Sequence, residues 1–376
     1  MKRARPGNRT LSNGDIAELL AVAAEDAAYP VQRALRRAGR AAFFWPEEAS
    51  ELLKQNRSLT ELSGVGPFLE KQIRQWFADP PRTLSRPELR ENFFTWTEAQ
   101  AILAKSPDWR QRLRGDLQMH TEWSDGSGTV RSLAEAAIAR GHDYIAITDH
   151  AKRLKIAGGM NELELEQQGK EIAALNEEFA GRDRPFRILR SIELNLDTEG
   201  NGDMESAALG RLDLVLGAFH SSLRRTEDQT ERYVAALRNP DLHILGHPRG
   251  RIYNYRMGLK ADWRRVFAVA AELDKAVEID AYPDRQDLSL DLIQLAGEAG
   301  ARISLGTDAH HPWQLEFIDL GLAAALAASI PAERILNFMP VEDLRRWVNE
   351  LRSKRSSRGT LAKSSRTGRR NLLQFH

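Results

Sequence analysis

Residues 115–126 read GDLQMHTEWSDG. A short apolar run ends in His120, and Asp125 follows inside a Ser-Asp-Gly turn. Taken alone, this is a strand edge with a surface histidine. Its weight comes from repetition. Short apolar runs at Asp116–Met119, Asp143–Thr148, Phe186–Leu194, Asp213–Phe219, His243–Gly246, Ala276–Ile279 and Arg302–Gly306 carry or end in His, Asp or Glu.

Between these runs lie segments with helical spacing: Val130–Arg140, Glu162–Phe179, Thr230–Leu237, Asp262–Leu273 and Leu288–Ala299. Regular alternation of strand and helix predicts an α/β fold with a parallel sheet. Seven such strands suit a closed (β/α)7 barrel better than an open sheet. In a parallel barrel all strand ends lie on one rim, where active sites sit.

That rim gathers an unusual set of side chains. His120, His150, Glu193, His220, His247, Asp308 and His310 stand at or just past strand ends, and Asp125 follows His120. Five of the nine histidines are among them. One strand-end histidine is more often structural than a ligand, but five in succession with three carboxylates are not independent. Imidazole and carboxylate without sulfur suit Mn²⁺, Zn²⁺ or Fe²⁺. Eight ligands exceed the needs of one ion, so two or three divalent ions are expected, with a bridging carboxylate. Such a cluster serves phosphate chemistry: paired ions clamp attacking and leaving oxygens, and a bound water ionises near neutral pH to attack as hydroxide. His142, His243 and His311 lack the strand-end position and are not expected to be ligands.

Composition sets the remaining bounds. At 376 residues, two domains and a tail are expected. With no cysteine, disulfides and thiolate metal sites are excluded. There is no nucleophilic cysteine, no Gly-x-Ser-x-Gly elbow and no phosphate-binding Gly-x-x-x-x-Gly-Lys loop. No apolar run approaches the ~20 residues that cross a bilayer, and no apolar segment follows the basic start, so a cytoplasmic location is expected. Charge is uneven. Residues 1–110 hold 17 Lys/Arg against 14 Asp/Glu, 111–351 hold 29 against 39, and 352–376 hold eight Lys/Arg and no acid. An acidic centre between basic ends fits a core that gathers cations and flanks that gather polyanions, or else an ordinary solvated surface.

The segment 1–110 reads as helical. Ser12 or Asn13 is a candidate N-cap. After Pro30, Arg33, Arg36, Arg37 and Arg40 share one helix face, which can hold phosphates or simply face water. In SLTELSGVGPFLEKQIRQW, residues 58–76, a helical stretch is expected to end at Gly64-Val65-Gly66-Pro67 and another to begin at once. Gly64 and Gly66 free the turn and leave N–H groups open to a phosphate, with Lys71 one turn inside. This resembles the helix-hairpin-helix motif of DNA-backbone binders. The alternative is a plain packing element. Residues 352–371 have almost no apolar content and no periodicity, and 352–376 are expected to be a disordered basic tail.

The strand-end motifs resemble the PHP (polymerase and histidinol phosphatase) family. The matching stretches are 115–126, Ile-Thr-Asp-His at 147–150, Ile192-Glu193, His220-Ser221, Gly-His-Pro at 246–248 and Thr-Asp-Ala-His at 307–310. Lys-Arg-Leu-Lys-x-Ala-Gly-Gly at 152–159, Gly-His-Pro-x-Gly-Arg at 246–251 and 278–288 further resemble the PHP domain of bacterial X-family DNA polymerases. Residues 10–80 resemble the N-terminal helical domain of the same polymerases. The resemblance implies a seven-stranded barrel, a trinuclear metal site and phosphoester hydrolysis. Three departures stand out. Gln118 replaces the first histidine of His-x-His, and its neutral carbonyl is expected to hold the ion shared with His120 weakly or not at all. Asp280 replaces an asparagine. About 35 residues separate the hairpin region from the barrel, too few for a polymerase palm.

The expected organisation is therefore a helix-hairpin-helix domain (1–110), a phosphoesterase barrel (111–351) and the tail (352–376). Lys155, Arg251 and Arg285 follow strand ends, where they either hold phosphate oxygens or form salt bridges. The expected activity is metal-dependent hydrolysis at DNA 3′ ends, as a 3′–5′ exonuclease or 3′-phosphatase in repair. The rivals are a small-molecule phosphatase, acting on histidinol phosphate or a nucleotide, and a non-catalytic DNA-binding module. No membrane contact is expected, and no protein partner is inferable.

Overall fold

The computed structural model describes residues 10–81 and 84–354. The basic start and residues 355–376 lie outside the described residues, so the expected tail is not described beyond its first three positions. Those three continue a helical run over 341–354, which carries the helix past the expected boundary at 352.

The N-terminal part is helical: α1 (Asn13–Ala23), α2 (Tyr29–Ala41), α3 (Ala49–Lys54), α4 (Pro67–Ala78) and α5 (Trp96–Leu103). Ser12 caps α1 in a capping box with Asp15. Asn13 serves differently: its side chain accepts from the Ala49 N–H at 2.9 Å and donates to the Glu47 carbonyl at 2.9 Å, tying α1 to the start of α3. Leu11, Ile16, Leu20, Leu35, Trp45 and Leu52 are buried in one core.

The helix expected at 58–63 is reduced to one 3₁₀ turn, Leu59–Glu61. Glu70, in the first turn of α4, explains the difference. Its carboxylate accepts from the Leu59 N–H at 3.0 Å and the Ser58 hydroxyl at 2.8 Å, which holds the turn against α4. Gly64 has φ +80°, a left-handed conformation natural to glycine. A Cβ there would stand 3.3 Å from Ala38 Cα, so the bare backbone also lets the turn press against α2.

Eight strands follow: β1 (Gly115–Asp116), β2 (Tyr144–Ile147), β3 (Arg187–Arg190), β4 (Glu193–Asn195), β5 (Leu216–Ala218), β6 (Ile244–Leu245), β7 (Ala276–Asp280) and β8 (Arg302–Gly306). They form two parallel sheets, β1-β2-β3 and β4-β5-β6-β7-β8. Helices Val130–Ala139, Glu162–Ala180, Thr230–Arg238, Trp263–Glu272 and Leu290–Glu298 alternate with them at the expected places. The strands are buried on both faces, as parallel sheets under helices require.

The seven expected strands became eight because Phe186–Leu194 changes partner midway. Residues 187–190 pair with β2, whereas 193–195 pair with β5. Single bonds link the two sheets at both junctions. Ala151 N–H donates to the Glu193 carbonyl at 3.0 Å, Asp308 N–H to Gln118 at 3.1 Å, and His120 N–H to Ala309 at 2.8 Å. Asn337 adds a side-chain link: its amide nitrogen reaches the Gly115 and Leu305 carbonyls at 2.9 and 2.8 Å. Leu117, Ala146, Leu189, Leu216, Ile244 and Ala276 pack between the strands, over Leu344, Trp347 and Val348 of the final helix. The N-terminal strand ends are thereby plugged, and the opposite ends carry the polar cluster.

The helical part packs directly on the sheet-forming part. The Tyr253 ring lies 4.6 Å from Phe43 and 5.3 Å from Phe93, centroid to centroid, and Phe44 lies 4.8 Å from Phe317. Arg90 pairs with buried Glu18 at 2.9 Å and reaches Asn254 at 3.0 Å. Among the described residues, no helix is long and apolar enough to cross a membrane.

Candidate metal centre

Glu193 opens β4 at the junction of the two sheets, and its buried carboxylate is the hub of the cluster. One oxygen lies 2.7 Å from His247 Nε2 and 2.9 Å from His220 Nε2. The other lies 3.3 Å from both His120 Nε2 and His150 Nδ1. His120 Nε2 is also 3.0 Å from Asp308. Asp125 reaches His310 Nε2 at 3.3 Å and His150 Nε2 at 3.6 Å. All eight candidate His, Asp and Glu ligands therefore converge.

They form three overlapping groups of metal-ligand spacing: His120, Asp125, His150 and His310; His150, Glu193 and His220; His120, Glu193 and Asp308. His247 joins through Glu193. The donor set fits divalent cations, and its loose ends support that fit. His120 Nδ1 and His220 Nδ1 are buried without a hydrogen-bond partner. Buried polar atoms normally find partners. Burial alone would raise the Glu193 carboxyl, but His150, His220 and His247 outweigh it and hold the group well below the usual carboxylate range. A buried anion needs compensating positive charge.

The backbone is bent to aim these groups. His247 at φ +22° and Asp308 at φ +52° occupy the left-handed region. Such conformations cost of order 1–3 kcal/mol in a non-glycine residue and cluster at functional sites. Asp149, noted in the sequence only as part of Thr-Asp-His, proves to be a clamp. Its carboxylate accepts from Thr121 N–H at 2.7 Å, Thr121 Oγ1 at 2.6 Å, Ser124 Oγ at 2.5 Å and Gln168 Nε2 at 2.6 Å. It thus holds the loop between His120 and Asp125.

Gln118 is paired with Glu278. With the amide oriented to satisfy both ends, its nitrogen donates to the two Glu278 oxygens at 2.7 and 3.0 Å. Glu278 in turn accepts the His247 N–H at 2.7 Å.

The expected phosphate-binding cations separate into three cases. Arg285 stands at the cluster, with Nη1 on Asp308 and 3.9 Å from Asp280. Lys155 is exposed on the 3₁₀ turn Lys155–Ala157. Arg251 is committed elsewhere. It is buried, donates to the Glu91 and Asn92 carbonyls at 3.1 and 3.0 Å, and covers the Phe93 ring at 3.7 Å. Burial pushes its guanidinium down to about 10. Of the expected DNA-contact residues, Gly64 packs on α2, Lys71 is exposed, and a Cβ at Gly66 would meet nothing within 4 Å.

A profile of the PHP domain matches residues 116–305. The chain belongs to the PHP family of metal-dependent phosphoesterases. It is 33% identical over 279 residues to the DNA polymerase/3′-5′ exonuclease PolX of Bacillus subtilis (strain 168), covering 73% of this chain and 47% of that protein. The chain thus spans about half the length of that relative. It is 27% identical over 251 residues to a probable phosphatase of Thermoanaerobacter sp. (strain X514), covering 64% of this chain and 96% of that one. Against the probable phosphatase YcdX of Escherichia coli (strain K12) it is 25% identical over 245 residues, covering 64% and 94%. A solved histidinol phosphate phosphatase from Lactococcus lactis, complexed with zinc, L-histidinol and phosphate, aligns at TM-score 0.44 with 18% identity, covering 58% of this chain and 95% of that one.

Proposed function

We propose that this PHP enzyme hydrolyses phosphate esters at DNA 3′ ends, as an exonuclease or 3′-phosphatase, with two or three Mn²⁺ or Zn²⁺ ions. The observation that carries this reading is Glu193, one carboxylate within 3.3 Å of nitrogens from four histidines. A carboxylate with distinct partners on its two oxygens suits a bridge between ions. When bound, such ions neutralise phosphate charge and make water acidic enough to attack near neutral pH.

The chain's own residues supply the geometry. His120, Asp308 and Glu193 would hold one ion, His150, Glu193 and His220 a second, and Asp125 with His310 would complete a third position. Asp149 fixes the loop that carries two of these ligands. Arg285 stands where its guanidinium can hold a non-reacting phosphate oxygen beside Asp308. In this reading the linked sheets are one seven-stranded barrel in which β3 and β4 act as a single strand. Residues 1–110 form the DNA-holding unit, with the open space at Gly66 and exposed Lys71 contributing. The B. subtilis relative named for 3′-5′ exonuclease activity supports the DNA assignment.

The experiment uses a 3′-labelled oligonucleotide with Mn²⁺. The protein should shorten or dephosphorylate it, and Asp308→Ala should abolish the reaction. A second reading, small-molecule phosphatase, is favoured by the probable phosphatases whose length this chain spans almost fully. Assaying histidinol phosphate beside the oligonucleotide with one preparation decides between them.

A further inference from the structure

A cleft of about 1270 Å³ runs between α2 and the mouth of the sheets. One wall is the arginine face of α2: Arg33, Arg36, Arg37 and Arg40. The other comes from the loop after β6, with Tyr253 and Tyr255, and from the loop after β7. That second loop brings Tyr282, Asp284 and Arg285. Arg285 is the residue that touches Asp308, so the cleft comes within one side chain of the metal cluster, although no candidate ligand lines it.

The charge of this cleft is lopsided. Among the described residues five arginines line it, and Asp284 is the one carboxylate. Burial raises the Asp284 carboxyl, which weakens it further as a counter-charge. Some other surface arginines are paired, Arg57 with Glu47 and Glu61, Arg131 with Glu178 and Arg182 with Glu135, whereas exposed Arg140, Arg153 and Arg211 stand singly with no carboxylate within 4.0 Å among the described residues. What sets α2 apart is four such arginines on one face. On α2, none of the four exposed arginines has a carboxylate within 4.0 Å among the described residues. Like charges three and four residues apart on a helix destabilise it. A face that keeps four of them unpaired calls for an anion from outside.

The cleft also offers rings. Tyr29 and Tyr255 are 70% and 60% exposed, far more than soluble proteins usually leave large aromatic side chains. Three of the four tyrosines lining the cleft have a guanidinium beside them: Arg33 at 5.8 Å from Tyr29, Arg224 at 4.7 Å from Tyr255, and Arg285 at 5.5 Å from Tyr282. Cations that track a backbone, interleaved with aromatic faces that take unstacked bases, are the chemistry of single-strand binding. Duplex DNA keeps its base faces covered and would leave these rings without a partner.

We propose that this cleft is the track by which a DNA strand reaches the metal cluster, and that it takes the strand unpaired. This rests on the DNA reading above and adds the location and form of the substrate. It places the main grip on α2 and the loops after β6 and β7, rather than on the Gly64–Gly66 turn.

The test measures binding of a 5′-fluorescein oligothymidylate by anisotropy in EDTA, across a salt series, where no hydrolysis intervenes. Three variants are compared: Arg36→Glu/Arg37→Glu, Tyr255→Ala and Tyr255→Phe. All sites are exposed, and matched melting curves verify folding. The double reversal should weaken binding at least tenfold and flatten the log–log salt slope by about 1.4, two single-strand phosphate contacts' worth. Tyr255→Ala should weaken binding roughly tenfold, in line with loss of one stacked base, and Tyr255→Phe should restore it. Wild-type affinity in the double reversal overturns the proposal, as does a blunt duplex bound as tightly as the single strand. Hydrolysis is read separately. A protein that binds through the cleft but cuts no DNA refutes the DNA-processing reading alone. One that cuts DNA, with all variants binding normally, refutes the cleft alone.

Discussion

Gln118 donates its side-chain amide to both oxygens of Glu278, at 2.7 and 3.0 Å. The residue that departs from the family's His-x-His pattern is thus a support for Glu278, which in turn fixes the His247 backbone. Replacing it by leucine removes the donor from a buried carboxyl. Gln118→Leu should lower unfolding stability by about 1–3 kcal/mol in a urea titration. Gln118→His should raise the metal content of purified protein, measured by elemental analysis. An unchanged content would mean that position 118 serves Glu278 alone.

Asp149 touches no ligand atom directly but binds both ends of the loop that carries His120 and Asp125. Groups that orient ligands from behind typically tune metal affinity by about 10–100-fold. Asp149→Asn should weaken Mn²⁺ binding by that factor in a calorimetric titration, with the melting temperature of the metal-free protein far less affected. Equal Mn²⁺ affinity in the variant would refute the clamp.

Arg251 holds the Glu91 and Asn92 carbonyls and lies over Phe93. Its loss should therefore register in stability before catalysis. Arg251→Ala should cost about 2–4 kcal/mol of unfolding free energy, from unpaired carbonyls and a lost ring contact. Hydrolysis by the folded fraction should stay within a few-fold of wild type. A variant of normal stability with activity abolished would restore Arg251 to the phosphate site.

Lys275 lies far from the rim, buried, with its ammonium on the Asn239 carbonyl. Burial pushes it down to about 7. The unfolded chain keeps this proton up to about pH 10.4, whereas the folded protein gives it up near 7. Between those values the unfolded state binds more protons, so this group makes stability rise with pH, by at most about 1.4 kcal/mol per pH unit. Lys275→Met should remove that rise. Parallel stability–pH profiles for wild type and variant between pH 7.5 and 9.5 would contradict the assignment.

Most of the rim was legible because each ligand directly follows an apolar run, so chain order alone puts His120, His150, His220, His247 and Asp308 at strand ends. The partner change within Phe186–Leu194 was not. Both halves are equally apolar, and only the tertiary hydrogen bonds of 190–193 reveal the handover. The stretch 58–63 has helical spacing, yet Glu70 from the next helix supplies bonds that hold it as a single turn. The carbonyl partners of Arg251 were hidden for a similar reason: Glu91 and Asn92 are some 160 residues away in sequence. Asn337 gave no signal at all, since one polar residue between apolar ones carries no periodicity, although it joins β1 to β8. The α2 cleft needed two surfaces from distant parts of the chain.

The ring cluster of Phe43, Phe93 and Tyr253 joins the helical part to the loop after β6. With Phe44 on Phe317, it makes each part the lid of the other's core. A calorimeter should therefore record one heat-absorption peak for the whole chain, with neither part melting ahead of the other. A protease cut between residues 81 and 86 should leave two fragments that co-elute on gel filtration.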